Sequence, residues 1–336
     1  MSRLGSDSAL LAADVGGTKT TFALYDGRDV RAPRAQRTYQ SSDAPFDVLL
    51  ARFLDGAPAP ASACLAVAGP VVGRSVRVTN LPWSLSASEL EARFSFTRVD
   101  LLNDVEALSW ATAGLRSDEV ARVVQEGQLE LEGPVAVLAL GTGLGEGFLV
   151  GRGDARRAYP SEGGHADFAP TTALQARLLA SLWPQFQHVS VERVCSGTGL
   201  PRIYRFLANV ERYREDPDLA AEIASAVDPT PLIVRAAESS RSSACREAVA
   251  LLCDILASEA GNLALKLLAT GGVYLGGGMA PRLLSFLQSP RFRDSFLAKG
   301  RFASFLERVP VRVVLPADAV LWGAALHGMS ALQLRS

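Results

Sequence analysis

LLAADVGGTKTTFALY, residues 10–25, reads as two strands around a glycine corner: an apolar run ending at Asp14, the pair Gly16-Gly17, and a returning strand over residues 21–25. A second unit of the same design lies downstream. There residues 135–140 (VAVLAL) lead into Gly141-Thr142-Gly143-Leu144-Gly145, and residues 148–150 return. Two such hairpins, one near the start of each half, imply an internal duplication of one α/β module, each copy supplying one wall of a cleft.

The chain has 336 residues, a length that suits two domains better than one core. Nearly half of the residues are hydrophobic, and 34 basic against 35 acidic side chains leave a net charge near zero. This balance points to no nucleic-acid partner, no membrane surface and no long disordered tail. Cys64, Cys195, Cys245 and Cys253 form no CxxC or Cys/His pattern, so reduced thiols in a cytoplasm are expected, with neither a disulfide nor zinc.

Between the hairpins, residues 64–68 and 99–102 are short apolar runs bounded by turn residues, as buried strands are. Ser86 with Glu89, and Asn103 with Glu106, have capping-box spacing and predict two helix starts. The second half passes through a Gly-rich loop at Glu162 and a Ser/Gly loop at residues 196–199, then turns mostly helical to about Leu268. A strand at residues 273–275 enters Gly276-Gly277-Gly278, and hinges are expected near Gly114 and Pro316.

The first hairpin offers phosphate chemistry. Gly16 and Gly17 allow a phosphate to approach backbone N–H groups, and Thr18 adds a hydroxyl. Asp14, at the strand end, can hold a hydrated Mg²⁺ beside it. A plain Gly turn with an Asx bond is the bland alternative, weakened by the matching loop at Thr142-Gly143. No GxxxxGK[ST] occurs and neither loop opens a helix after GxGxxG, which disfavours P-loop and dinucleotide sites.

Asn103-Asp104 ends a buried strand and opens a helix. Asn103 as N-cap with Asp104 favoured by the helix dipole explains the pair structurally, and a carboxylate projecting there into a cleft explains it chemically; the two are compatible. Glu162-Gly163-Gly164-His165 puts a carboxylate and an imidazole on one turn, with Glu192 ahead of the next glycine loop. Such groups pair with the hydroxyl rim of a sugar. Gly276-Gly277 suits an adenosine lying against backbone or, equally, a turn. His188, His327 and Trp83 read as structural.

Together the strings ADVGGT (13–18), TNLPWSL (79–85), LLNDVEA (101–107), LGTGLG (140–145), PSEGGHADFAP (160–170) and SVERVCSGTG (190–199) resemble the bacterial glucokinases of the superfamily that joins actin, sugar kinases and heat-shock chaperones. The resemblance implies an α/β, two-domain actin-like ATPase (ribonuclease H-like) fold with an interdomain cleft. Residues 1–114 plus 316–336 would form the small domain and 115–315 the large one. It implies ATP with Mg²⁺ as phosphoryl donor, glucose as acceptor and a homodimer. Ala13, Asp14, Val15, Gly16, Gly17 and Thr18 match the family's ATP phosphate loop, Thr142 and Gly143 the second loop, and Gly276 and Gly277 the adenosine seat. Asp104 matches the catalytic base, and Asn103, Asp104, Glu162, His165 and Glu192 match the sugar positions.

Three departures stand out: Ala13 before the Asp, Lys19-Thr20 after Thr18, and Glu146 after the second glycine loop. A kinase of another hexose, a non-catalytic sugar sensor and an ATP-driven conformational machine are the rival readings. The last gives no use to the turn at residues 162–165.

Overall fold

The computed structural model describes residues 9–26, 29–57, 60–124, 130, 132–213 and 215–333. The chain divides into two compact units, one of Met1–Arg116, Gly153–Pro160 and Pro316–Ser336, the other of Ser117–Arg152 and Ser161–Leu315.

In the first unit β1 (Leu10–Val15) turns back antiparallel into β2 (Lys19–Tyr25), which pairs with β3 (Ala35–Gln40). On its other edge β1 runs parallel to β4 (Ser62–Val67), and β4 parallel to β8 (Arg98–Asn103), giving the order β3-β2-β1-β4-β8. The central strands are apolar along both faces because both faces are covered. Leu11, Ala13, Leu65 and Val67 face a core shared with Phe46, Leu49 and Leu50 of the helix Phe46–Leu54. On the opposite face lie Leu10 and Cys64, against which Gly328 of the helix Ala319–Gln333 sits so tightly that a methyl group there would meet Leu10 at 2.7 Å. A small ribbon of β5 (Val71–Val72), β6 (Ser75–Arg77) and β7 (Ser84–Ser86) precedes the helix Ala87–Phe94.

The second unit repeats the design. β10 (Val135–Leu140) folds back antiparallel onto β11 (Leu144–Val150) and runs parallel to β13 (Gly272–Gly276), which runs parallel to β14 (Val311–Val314). β9 (Val120–Val124) closes the far edge antiparallel to β14. The arrangement β11-β10-β13-β14 thus matches β2-β1-β4-β8, as the duplicated hairpins predict. The helix Ser243–Leu267 is, among the described residues, the one long and apolar enough to cross a membrane; it is the buried spine of this unit's core.

Residues 115–116 and 153–160 cluster with the first unit, and Gly151 and Gly153, with φ of 96° and 50°, turn the chain out of β11 towards β12 (Arg157–Ser161). Ser86 does precede a helix but makes no side-chain cap, because its Oγ bonds Ser88 Oγ instead.

Candidate active site

In the first unit the strand register aligns Val15, Val67 and Asn103, so the Asp14–Thr18 hairpin and the Asn103-Asp104 corner leave the same carboxyl edge of one sheet. That edge is where open α/β sheets place their ligands. Gly16 N donates to Lys19 O, Ser41 N donates to Thr18 O, and Ser41 Oγ donates to Gly16 O at 2.8 Å. The loop is therefore shaped from behind while Gly17 and Thr18 remain exposed.

Asn103 does what capping predicts and more. Its Oδ1 accepts from Val105 N at 2.9 Å, its Nδ2 donates to Gly69 O at 3.1 Å, and Glu106 accepts the Asn103 amide. Asp104 is thereby fixed at the first position of the helix Asp104–Ala111. That helix is clamped by the helix Ala319–Gln333, whose Gly323 lies against the Ala107 carbonyl with no room for a Cβ. Burial, and then the neighbouring charges of Asp104 and Asp318, raise the Asp14 carboxyl to about 7. Both neighbouring charges that raise Asp14, those of Asp104 and Asp318, are negative, surroundings that a cation would relieve.

In the second unit the start of β11 gathers the other candidates. Leu144 N donates to Glu192 Oε2 at 3.0 Å, which accounts for Gly143, where a Cβ would fall 2.4 Å from that oxygen. Gly164 sits against the Leu144 carbonyl, and His165 N donates to Glu162 O at 2.9 Å, closing the turn Gly163–His165. The Glu162 and His165 side chains are exposed, with Oε2 and Nε2 3.7 Å apart. Val191 N donates to Ala166 O, drawing the segment that carries Glu192 alongside this turn. Glu192 and the turn that carries Glu162 and His165 are thus both tied to Leu144.

Thr142 and Gly143 rest on the Ser/Gly loop: Gly197 N donates to Gly141 O at 2.8 Å and Thr198 N to Thr142 O at 3.2 Å. Beside them opens a pocket of about 990 Å³ lined by Thr142, Thr198, Arg202, Thr230, Gly278 and Met279 among others. Its size is at the upper end of what small-molecule sites use. Gly276 is buried at the end of β13, and Gly277 takes φ 82° with its Cα against Leu140 backbone. They shape the turn, and it is Gly278 that reaches the pocket.

Sequence reasoning missed Glu146 as more than a departure and missed the pocket wall formed by Arg202 and Thr230. Thr230 Oγ1 donates to Gly197 O, a link between distant segments that carries no local signal. His188, paired with Asp167 at 2.9 Å, and His327, edge-on to Trp110, are structural as expected.

The glucokinase family model matches residues 11–331. The chain belongs to the glucokinase family. It is 38% identical over 334 residues to a glucokinase of Nostoc punctiforme, covering 94% of this chain and 98% of that protein. The crystal structure of a glucokinase from an Antarctic psychrotroph superimposes with a TM-score of 0.84 at 33% identity, covering 95% of this chain and 98% of that one. A ROK family glucokinase from Streptomyces griseus, solved in complex with glucose and AMPPNP, shares the fold with a TM-score of 0.63 at 20% identity, covering 95% and 98%.

Proposed function

We propose that this chain is an ATP-dependent glucokinase, transferring the γ-phosphate of ATP to the 6-hydroxyl of glucose to give glucose 6-phosphate and ADP, the entry step of glycolysis. The observation that carries the reading is the gathering of Glu192, Glu162 and His165 around the start of β11, immediately beside the Thr142-Gly143 loop, in a member of this family. A sugar's hydroxyls and a nucleotide's phosphates are then served from one stretch of chain.

In this reading the two units are the lobes of an actin-like ATPase fold, with the cleft between them. Glu162, His165, Glu192 and Asn103 hold the ring hydroxyls and present the 6-hydroxyl to Asp104. Asp104 accepts the hydroxyl proton as the oxygen attacks the γ-phosphorus in line. The main-chain groups of residues 13–18, with Thr18, Thr142 and Gly143, balance the charge spreading over the phosphoryl oxygens. Gly276 and Gly277 set the turn that brings Gly278 to the adenosine. Mg²⁺ would arrive with ATP as part of the substrate, and Asp14 is the residue that would hold it beside the phosphates. The neighbouring carboxylates Asp104 and Asp318, whose charges act on Asp14, fit that role. Closure of the lobes excludes water and limits ATP hydrolysis.

Four buried free cysteines are compatible with a cytoplasmic protein, and a homodimer is proposed from the family resemblance. The test is a coupled assay with Mg-ATP and glucose, mannose, fructose, N-acetylglucosamine or N-acetylmannosamine. Glucose-dependent ADP release supports the reading. Turnover of another sugar in preference moves the protein to another hexose, and sugar binding without turnover makes it a sensor.

A further inference from the structure

Glu146 lies in β11, 1% exposed, and its Oε1 has no hydrogen-bond partner. Buried polar atoms are rarely left so, and a charged one less often still. Its other oxygen explains the location. A Cβ placed on Gly163 would fall 2.1 Å from Glu146 Oε2 and 3.0 Å from Ser161 Oγ, and Ser161 Oγ accepts from Gly163 N at 2.9 Å. Gly163 is therefore seated between these two side chains. Two residues earlier on the same strand, Leu144 supports Gly164 through its carbonyl and Glu192 through its amide.

We propose that Glu146 is a positioning residue for the sugar-binding turn: its carboxyl sets the height of Gly163 over β11, and so the placement of Glu162 and His165 relative to Glu192. The inference rests on the reading of those three residues as the glucose ligands.

The competent form of Glu146 is the neutral one. Burial first, and then the charge of Glu259, push its carboxyl up to about 7 against the opposing charge of Lys266. Those two side chains face it from the helix Ser243–Leu267, and the buried thiol of Cys195 also lies within its field. Glu162 and His165 are the titratable groups on the turn above. Lys299, next in this layer, is committed to Ser258 and Asn262. Ionisation places a charge with an unpartnered oxygen directly under Gly163, and the turn has to lift to admit water. Glucose affinity then falls as pH rises through neutrality.

The experiment is steady-state kinetics of wild type, E146Q, E146A and E162Q between about pH 6 and about pH 8.5, a window spanning the raised value. The glucose KM of the wild type is expected to rise about threefold or more across it, with kcat and the ATP KM steady. E146Q, neutral throughout and of the same shape, is expected to flatten that rise. E146A should raise the glucose KM about tenfold at every pH. Parallel pH profiles in E146Q and wild type overturn the proposal, even if E146A does not fold. If E162Q raises the glucose KM and the Glu146 variants do not, this inference alone is lost; if E162Q also leaves it unchanged, the glucose-site reading fails instead.

Discussion

The two glycine hairpins share a design, and each carries one carboxyl raised to about 7, yet their surroundings differ. Asp14 sits on the outgoing strand of the first hairpin, at a sheet edge, with Asp104 and Asp318 acting on it. Glu146 sits on the returning strand of the second, enclosed, with a glycine pressed against it. The first is an acid held by burial and by two like charges beside it, so that on the proposed reading an incoming cation would relieve it. The second is an acid kept neutral inside, where it can act as a spacer. On the two proposed readings, a duplicated scaffold puts the same chemical group to two uses by changing which strand of the hairpin bears it.

The sharpest way to break this contrast is at the first hairpin's partner. Asp104→Asn is expected to lower kcat by more than ~10²-fold with glucose binding largely kept, because on the proposed mechanism the amide can still bond the 6-hydroxyl but cannot take its proton. Activity within threefold of wild type would remove Asp104 from the role. At the second hairpin, Glu192→Gln weakens the acceptor of Leu144 N and, on the proposed reading, a sugar contact. A bond to a charged group contributes ~1.5–3 kcal/mol, so the glucose KM should rise at least about tenfold, with less discrimination among hexoses. An unchanged titration in Glu192→Gln would separate the second hairpin from sugar binding.

The smallest effect is on stability. Asp14 has its usual value of 3.8 when unfolded and about 7 when folded, so the folded state binds the extra proton. Its favourable contribution is complete below about pH 4 and is lost as pH rises through 7. Asp14→Asn, without ligand, should therefore be more stable than wild type at pH 8 by ~1–3 kcal/mol after allowance for screening, and the difference should vanish in acid. Thermal melts at two pH values decide it. A difference that is the same at both would mean that the acid surroundings of Asp14 are already neutralised.

Much of this was legible in the sequence because it is local. Glycine corners, apolar runs and the Asn103/Glu106 box each declare themselves within a few residues, and all three are where they were expected. The residues Glu162, His165 and Glu192 could be named from the strings around them. What brings them together could not, since it depends on Leu144 N reaching 48 residues along the chain to Glu192 and on Gly164 meeting a strand backbone. Ser86 shows the opposite failure: the right spacing, but a nearer hydroxyl at Ser88 took its hydrogen bond. Glu146 was visible only as an oddity, because burial is a property of the fold and not of the string LGTGLGEG.

The seat of Gly323 on the Ala107 carbonyl bears on how the protein is made. The helix Ala319–Gln333 covers Leu10 and Cys64 and clamps the helix that opens with Asp104, so the first unit's sheet keeps one face bare until residues 319–333 emerge from the ribosome. The unit begun first is the one finished last, while the second unit has all of its own strands beforehand. During synthesis the nascent chain therefore carries an uncovered apolar face for most of its length, a natural target for a holding chaperone.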